Sequence, residues 1–193
     1  MTRAFAQLFP ELAWIEFSPD EFGRLLHSLE RFGAHGSAAA GYLREHATRF
    51  GYFPQTRSGA GWTLHGNLTL PPGAALDNPR ILAVVIHEVL HLRQPLLTRL
   101  SIQGELLGWQ LEYQAYHDVT GNYYGEDDAP FPGTAVYWAE LSRLSPLSHP
   151  HLARARVLMK QVSPRYRAHL LPLYPLFGEI RYALMRPFRN SGP

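Results

Sequence analysis

A chain of 193 residues with 46% hydrophobic, 12% aromatic and 18% charged residues has the material for a packed core and is far from the composition of a disordered segment. Its 18 Lys and Arg against 16 Asp and Glu leave a formal net charge of +2, dispersed rather than striped, which argues against a nucleic-acid partner. With no cysteine, disulfides, thiolate catalysis and Cys-bound metal are excluded, so any metal must rest on His and carboxylate.

The opening stretch MTRAFAQLFPELAWIEF places Pro10, Glu11 and Glu16 where a secretory signal would need an unbroken apolar run. No window approaches the roughly 20 apolar residues of a membrane helix. The expectation is a cytoplasmic protein without a membrane partner. Ser18, Pro19 and Glu21 then spell a helix start: an N-cap, a proline at the first helical position and the acidic residue of a capping box. Leu25, Leu26, Leu29 and Phe32 give that helix its apolar face. A second helix is expected over 37–50, with Gly33 and Gly36 in the gap between the two.

The segment GWTLHGNLTL over 61–70 alternates apolar and polar residues, the period of a half-buried strand or hairpin, and Pro71, Pro72 and Gly73 end it. Asn78 and Pro79 form an N-cap and first-turn pair for a helix reading RILAVVIHEVLHLRQ. Apolar residues cover nearly every face of it, so this helix should be central and buried. Pro95 makes Gln94 its expected end. A further long helix is expected over 101–119, followed by a loop marked by Gly121, Asn122, Gly125 and 130–133. Beyond it the chain reads as helices separated by prolines, near 135–144, 151–162, 164–171 and 177–185. Arg154, Arg156, Lys160, Arg165 and Arg167 there read as a solvated helix face, and Tyr166, Tyr174, Phe177 and Tyr182 as packing. His149 and His151 read as surface residues beside Pro150. There is no internal repeat.

Chemistry concentrates in His87, Glu88, Val89, Leu90 and His91, an HExxH pattern that these residue frequencies would produce by chance about 0.03 times in a chain this long. Positions i and i+4 share a helix face, so the two imidazoles can converge on one ion while Glu88 projects beside them. A catalytic zinc keeps three protein ligands and an open position for water, and Glu88 is the candidate base for that water's proton. The alternative is that they merely hydrogen-bond to neighbouring polar groups in the core, where an unpaired polar group costs on the order of 1 to 3 kcal/mol.

The next helix offers two carboxylates seven residues apart and so on one face, Glu105 and Glu112. His91 lies three residues before the expected helix end, roughly 4.5 Å at the helical rise. In an antiparallel pair its partner should therefore come early in the second helix, which favours Glu105. The stretch GELLGWQLEYQAY nevertheless holds both candidates, and the third ligand stays open between them; the other would be a surface or outer carboxylate. His65, Tyr113, Tyr116, His117, Tyr123 and Tyr124 are the nearby candidates for stabilising a developing oxyanion, with none singled out.

Over about 61–117, roughly a third of the chain, the sequence resembles the gluzincins, zinc hydrolases with HExxH on one helix and a glutamate on the next, and it looks most like their small, minimal members. The resemblance implies Zn2+ held by His87, His91 and Glu105, Glu88 as base, and the 61–70 strand as an edge able to pair with an extended peptide. It implies an α+β, mostly helical fold. A zincin-like core would comprise a small antiparallel sheet or hairpin packed on a central HExxH helix and a second ligand-bearing helix, with a helical C-terminal extension. A single domain over 1–193 is expected, made of N-terminal helices (1–58), a metal-site core (59–125) and a C-terminal helical part (126–193). The implied activity is metallopeptidase, or closely related amide hydrolase, acting on a peptide or protein substrate. Two other readings compete with it: a non-catalytic, zinc-stabilised binding or regulatory protein, and a helical interaction domain with a chance motif. Substrate, cleavage site and oligomeric state are not fixed by the sequence.

Overall fold

The computed structural model describes residues 15–53, 60–62, 66–122 and 140–162. In chain order they form β1 (Ile15–Glu16), α1 (Pro19–Arg31), α2 (Gly33–Glu45), β2 (Phe50–Tyr52), β3 (Gly61–Trp62), β4 (Leu68–Leu70), α3 (Pro79–Arg93), α4 (Leu96–Arg99), α5 (Ile102–Thr120) and α6 (His149–Val162). The class is mixed α and β, mostly helical with a small sheet. The chain divides into two compact units, residues 1–93 with 111–122, and residues 94–110 with 123–193; α5 is one continuous helix contributing its first half to the second unit and its second half to the first.

In the first unit, α1 starts as its sequence dictates. The Glu21 backbone N–H donates to Ser18 Oγ at 3.3 Å, while the Ser18 backbone N–H donates to Glu21 Oε2 at 2.8 Å. These reciprocal bonds satisfy two donors that the first helical turn leaves without intrahelical partners. Leu25, Leu26, Leu29 and Phe32 are buried, as the apolar spacing requires. The second helix departs from expectation. It begins at Gly33, whose φ of 72° lets the chain reverse directly out of α1, and it ends at Glu45. Gly36 lies inside it, and Phe50 belongs to a strand.

That strand changes the sheet. Order β1-β2-β4-β3 combines an antiparallel β1/β2 pair, a parallel β2/β4 pair (Phe50 opposite Leu68, Tyr52 opposite Leu70) and an antiparallel β3/β4 hairpin (Trp62 opposite Leu68). The expected antiparallel sheet is therefore corrected to a mixed one, of which the hairpin is one part. β1 and β2 escape periodicity because two or three residues cannot display an alternation, and Gly51 breaks the apolar run. Phe17, Phe22, Phe50 and Tyr52 pack with ring centroids 4.6 to 6.2 Å apart between α1 and the sheet. Leu68 and Leu70 are fully buried, each stabilising the fold by about 1.5–3 kcal/mol.

Helix α3 follows its caps and its composition. The Arg80 backbone N–H donates to Asn78 Oδ1 at 2.8 Å, and the helix stops two residues before Pro95. Leu82, Ala83, Val85, Ile86, Val89 and Leu92 are buried around it, and the Tyr42 hydroxyl donates to the Leu92 carbonyl at 3.3 Å near its C-terminal end.

In the second unit, Gln110 Nε2 donates to the Leu141 and Leu144 carbonyls at 2.9 and 2.6 Å, and Arg154 pairs with Glu140 through Nε at 2.6 Å and Nη2 at 3.0 Å. α6 begins at His149, two residues earlier than expected, and buries Leu152, Ala155, Leu158 and Met159. His151 is half-buried rather than a bare surface residue: its Nδ1 accepts the Ser145 backbone N–H at 2.8 Å and closes the preceding turn. The helices expected over 164–171 and 177–185, most of that over 135–144, and Arg165, Arg167, Tyr166, Tyr174, Phe177 and Tyr182 lie outside the described residues. Among the described residues no helix is long and apolar enough to cross a membrane.

Candidate metal centre

Helix α3 carries two histidines and a glutamate into a mostly apolar core. His87, Glu88 and His91 are only 5, 8 and 1% exposed. One helical turn apart, the two rings tilt toward each other with centroids 4.8 Å apart, and the Nε2 atoms face each other across 2.9 Å. Two nitrogens holding one tetrahedral ion at about 2.0–2.1 Å stand about 3.3 Å apart, so an ion requires the rings to open by only a few tenths of an ångström.

The carboxylates come from α5, and the local chain explains where each falls. Ser101 is fully buried and caps the helix: its Oγ accepts the Gly104 backbone N–H at 3.0 Å and donates to the Thr98 carbonyl at 2.6 Å. Glu105 follows in the first turn, where the positive end of the helix dipole favours a carboxylate. It is half-buried. His87, His91 and Glu105 each offer one ligand atom, and these atoms all lie within 4.8 Å of one another, a group that could hold a metal ion. Two imidazole nitrogens and one carboxylate oxygen are a donor set that a divalent cation could use.

Glu112, seven residues further along the same helix, takes a different place. It is buried, and its Oε2 lies 2.7 Å from His87 Nδ1. The choice between the two glutamates is thus divided by atom: Glu105 joins the imidazole pair, and Glu112 holds the far nitrogen of His87. Nothing in the residue types separates these roles; the helical rise of about 10.5 Å between them does.

Glu88 is buried on α3, about 100° around the helix from His87, and lies outside the three-residue cluster. Of the oxyanion candidates, Tyr113 and Tyr116 are buried on α5 and Tyr113 stacks on His117 with centroids 6.2 Å apart. Tyr116 shares the helix face of Glu105 and Glu112 at i+11 and i+4. His65, Tyr123 and Tyr124 lie outside the described residues. Sequence reasoning missed Trp62, on the outermost strand of the sheet, whose ring stands 6.0 Å from that of His91. Its position in an alternating strand was a signal for burial but not for this neighbour.

Compared with protein-family models, with curated proteins and with solved structures, the chain matches none of them.

Proposed function

We propose that this chain is a zinc-dependent hydrolase of the HExxH class, a metallopeptidase or closely related amide hydrolase. The observation that carries this reading is that His87 and His91 of a mostly apolar helix and Glu105 of the next each offer a ligand atom, all within 4.8 Å of one another. Zinc in such a donor set supplies a Lewis acid and makes water nucleophilic near neutral pH. The chain's own residues do the rest. His87, His91 and Glu105 hold and orient, and Glu88, on the same helix turn, takes the proton of the attacking water and passes it to the leaving amine. Trp62, whose ring stands beside that of His91 on β3, the last strand in the order of the described sheet, offers an apolar wall for a peptide substrate.

The test is metal content together with turnover in untagged protein. Stoichiometric zinc and cleavage of a quenched peptide library are expected in the wild type, with Glu88→Gln keeping the metal and losing cleavage by at least about 100-fold. Retained cleavage in Glu88→Gln removes Glu88 as base.

The deep burial of both histidines and Glu88 favours a second reading, a closed zinc site that stabilises a non-catalytic binding protein. That protein would hold zinc, cleave nothing, and lose no function on Glu88→Gln.

A further inference from the structure

An imidazole that grips an ion through one nitrogen still carries a proton on the other, and its orientation is only as firm as that proton's partner. His87 has both nitrogens engaged: Nε2 faces His91 Nε2 at 2.9 Å, and Nδ1 lies 2.7 Å from Glu112 Oε2. Both side chains of the His87 and Glu112 pair are more than nine-tenths buried. We infer that Glu112 is a positioning residue that fixes His87 as its Nδ1–H tautomer and aims Nε2 at the metal.

A carboxylate oxygen accepts, so across the 2.7 Å contact the Nδ1–H of this tautomer donates to Glu112 Oε2. The lone pair is then on Nε2, the nitrogen that faces His91. Glu112 lies outside the His87, His91 and Glu105 group and reaches it through its contact with His87. The role rests on the metal reading above and adds a fourth protein residue to it. It also explains why the helix bearing Glu105 carries a second buried carboxylate two turns on, where an unpartnered charge would be costly.

The experiment is zinc affinity by competition with a chromophoric chelator in the full-length wild type, Glu112→Gln and Glu112→Ala, with proton–nitrogen correlation of the histidine side chains. In the zinc-loaded wild type, His87 should show a protonated, hydrogen-bonded Nδ1 and a metal-bound Nε2. Glu112→Ala should weaken zinc binding about 10- to 100-fold while two nitrogens and one oxygen still coordinate. Glu112→Gln, which keeps an acceptor for Nδ1–H, should recover part of that loss. A purely architectural carboxylate would lower the melting temperature of the metal-free protein and leave zinc affinity and tautomer alone. Zinc ligated through His87 Nδ1 in the wild type overturns the inference, as does a Glu112→Ala or Glu112→Gln protein from which an oxygen ligand has gone. If Glu112→Ala does not fold, an unprotonated Nδ1 on His87 in the zinc-loaded wild type overturns it equally. Failure of the wild type to take up zinc overturns the metal reading and this role together, whereas uptake with the wrong tautomer overturns this role only.

Discussion

The carbonyl oxygen of Thr98 stands where a Cβ on Gly104 would have to go, so the chain passing through α4 presses against the first turn of α5 at a point that favours glycine. Glu105 is the next residue. Gly104→Ala should therefore destabilise the protein by about 1–3 kcal/mol, because the obstacle is backbone and cannot swing aside. Chemical denaturation measures that. Metal content of the same preparation should fall with it, since the displaced turn bears Glu105; a Gly104→Ala protein as stable as the wild type would show that the close approach is not a constraint.

Ligand substitutions should separate from all others by their response to chelation. In the wild type, free metal at about 100 times its dissociation constant stabilises the fold by about 2.7 kcal/mol, and a chelator removes that increment. His87→Ala, His91→Ala and Glu105→Ala should melt at the same temperature with and without chelator. A Glu105→Ala protein that keeps the full increment would pass the third ligand to another residue.

Ala47 has φ of 47° in the turn that follows α2, in the left-handed region that costs an L-residue about 1–2 kcal/mol. Its side chain is exposed, so its methyl group has no packing to lose. Ala47→Gly should raise stability by up to about 1 kcal/mol after the extra freedom of glycine in the unfolded chain is offset. Thermal melts of the two proteins decide it.

Three glutamates among the described residues contribute stability that is lost in acid. The Ser18 backbone N–H, then its hydroxyl and the Tyr52 hydroxyl, hold the Glu21 carboxyl below its ordinary value of 4.5; hydrogen bonds from Arg49 do so for Glu16 and from Arg154 for Glu140. A folded value below the unfolded one means a contribution complete above about pH 4.5 and lost as pH falls through the folded value. In the metal-free protein, that contribution should hold from neutral pH down to that point and then decline. Glu21→Gln should flatten the decline, as read from denaturation midpoints across pH 7 to about 3. An unchanged slope in Glu21→Gln would mean that Ser18 and Tyr52 hold its carboxylate no better than water does.

Much of the helical framework was legible because its signals are contiguous. Ser18 with Glu21, and Asn78 with Pro79, each name a helix start within four residues of chain, and both caps form. The end of α3 before Pro95 and the span of α5 were legible for the same reason. The start of α2 was not: Gly33, at positive φ, ends α1 as a break would, yet the next helix begins at that same residue. β1 and β2 were too short to announce themselves, and their partners lie 15 or more residues away.

By itself the sequence determined that two imidazoles one turn apart stand with a glutamate in an apolar helix, and that two carboxylates follow on one face of the next, since i, i+4 and i, i+7 relations are properties of helical geometry. Only tertiary structure decided which carboxylate meets which nitrogen, that the strand pairing is mixed, and that Trp62 lies against His91. Those relations depend on how separate elements pack, and packing is fixed by the cooperative burial of residues such as Phe50, Leu68 and Ile86, drawn from distant parts of the chain, rather than by any short run of it.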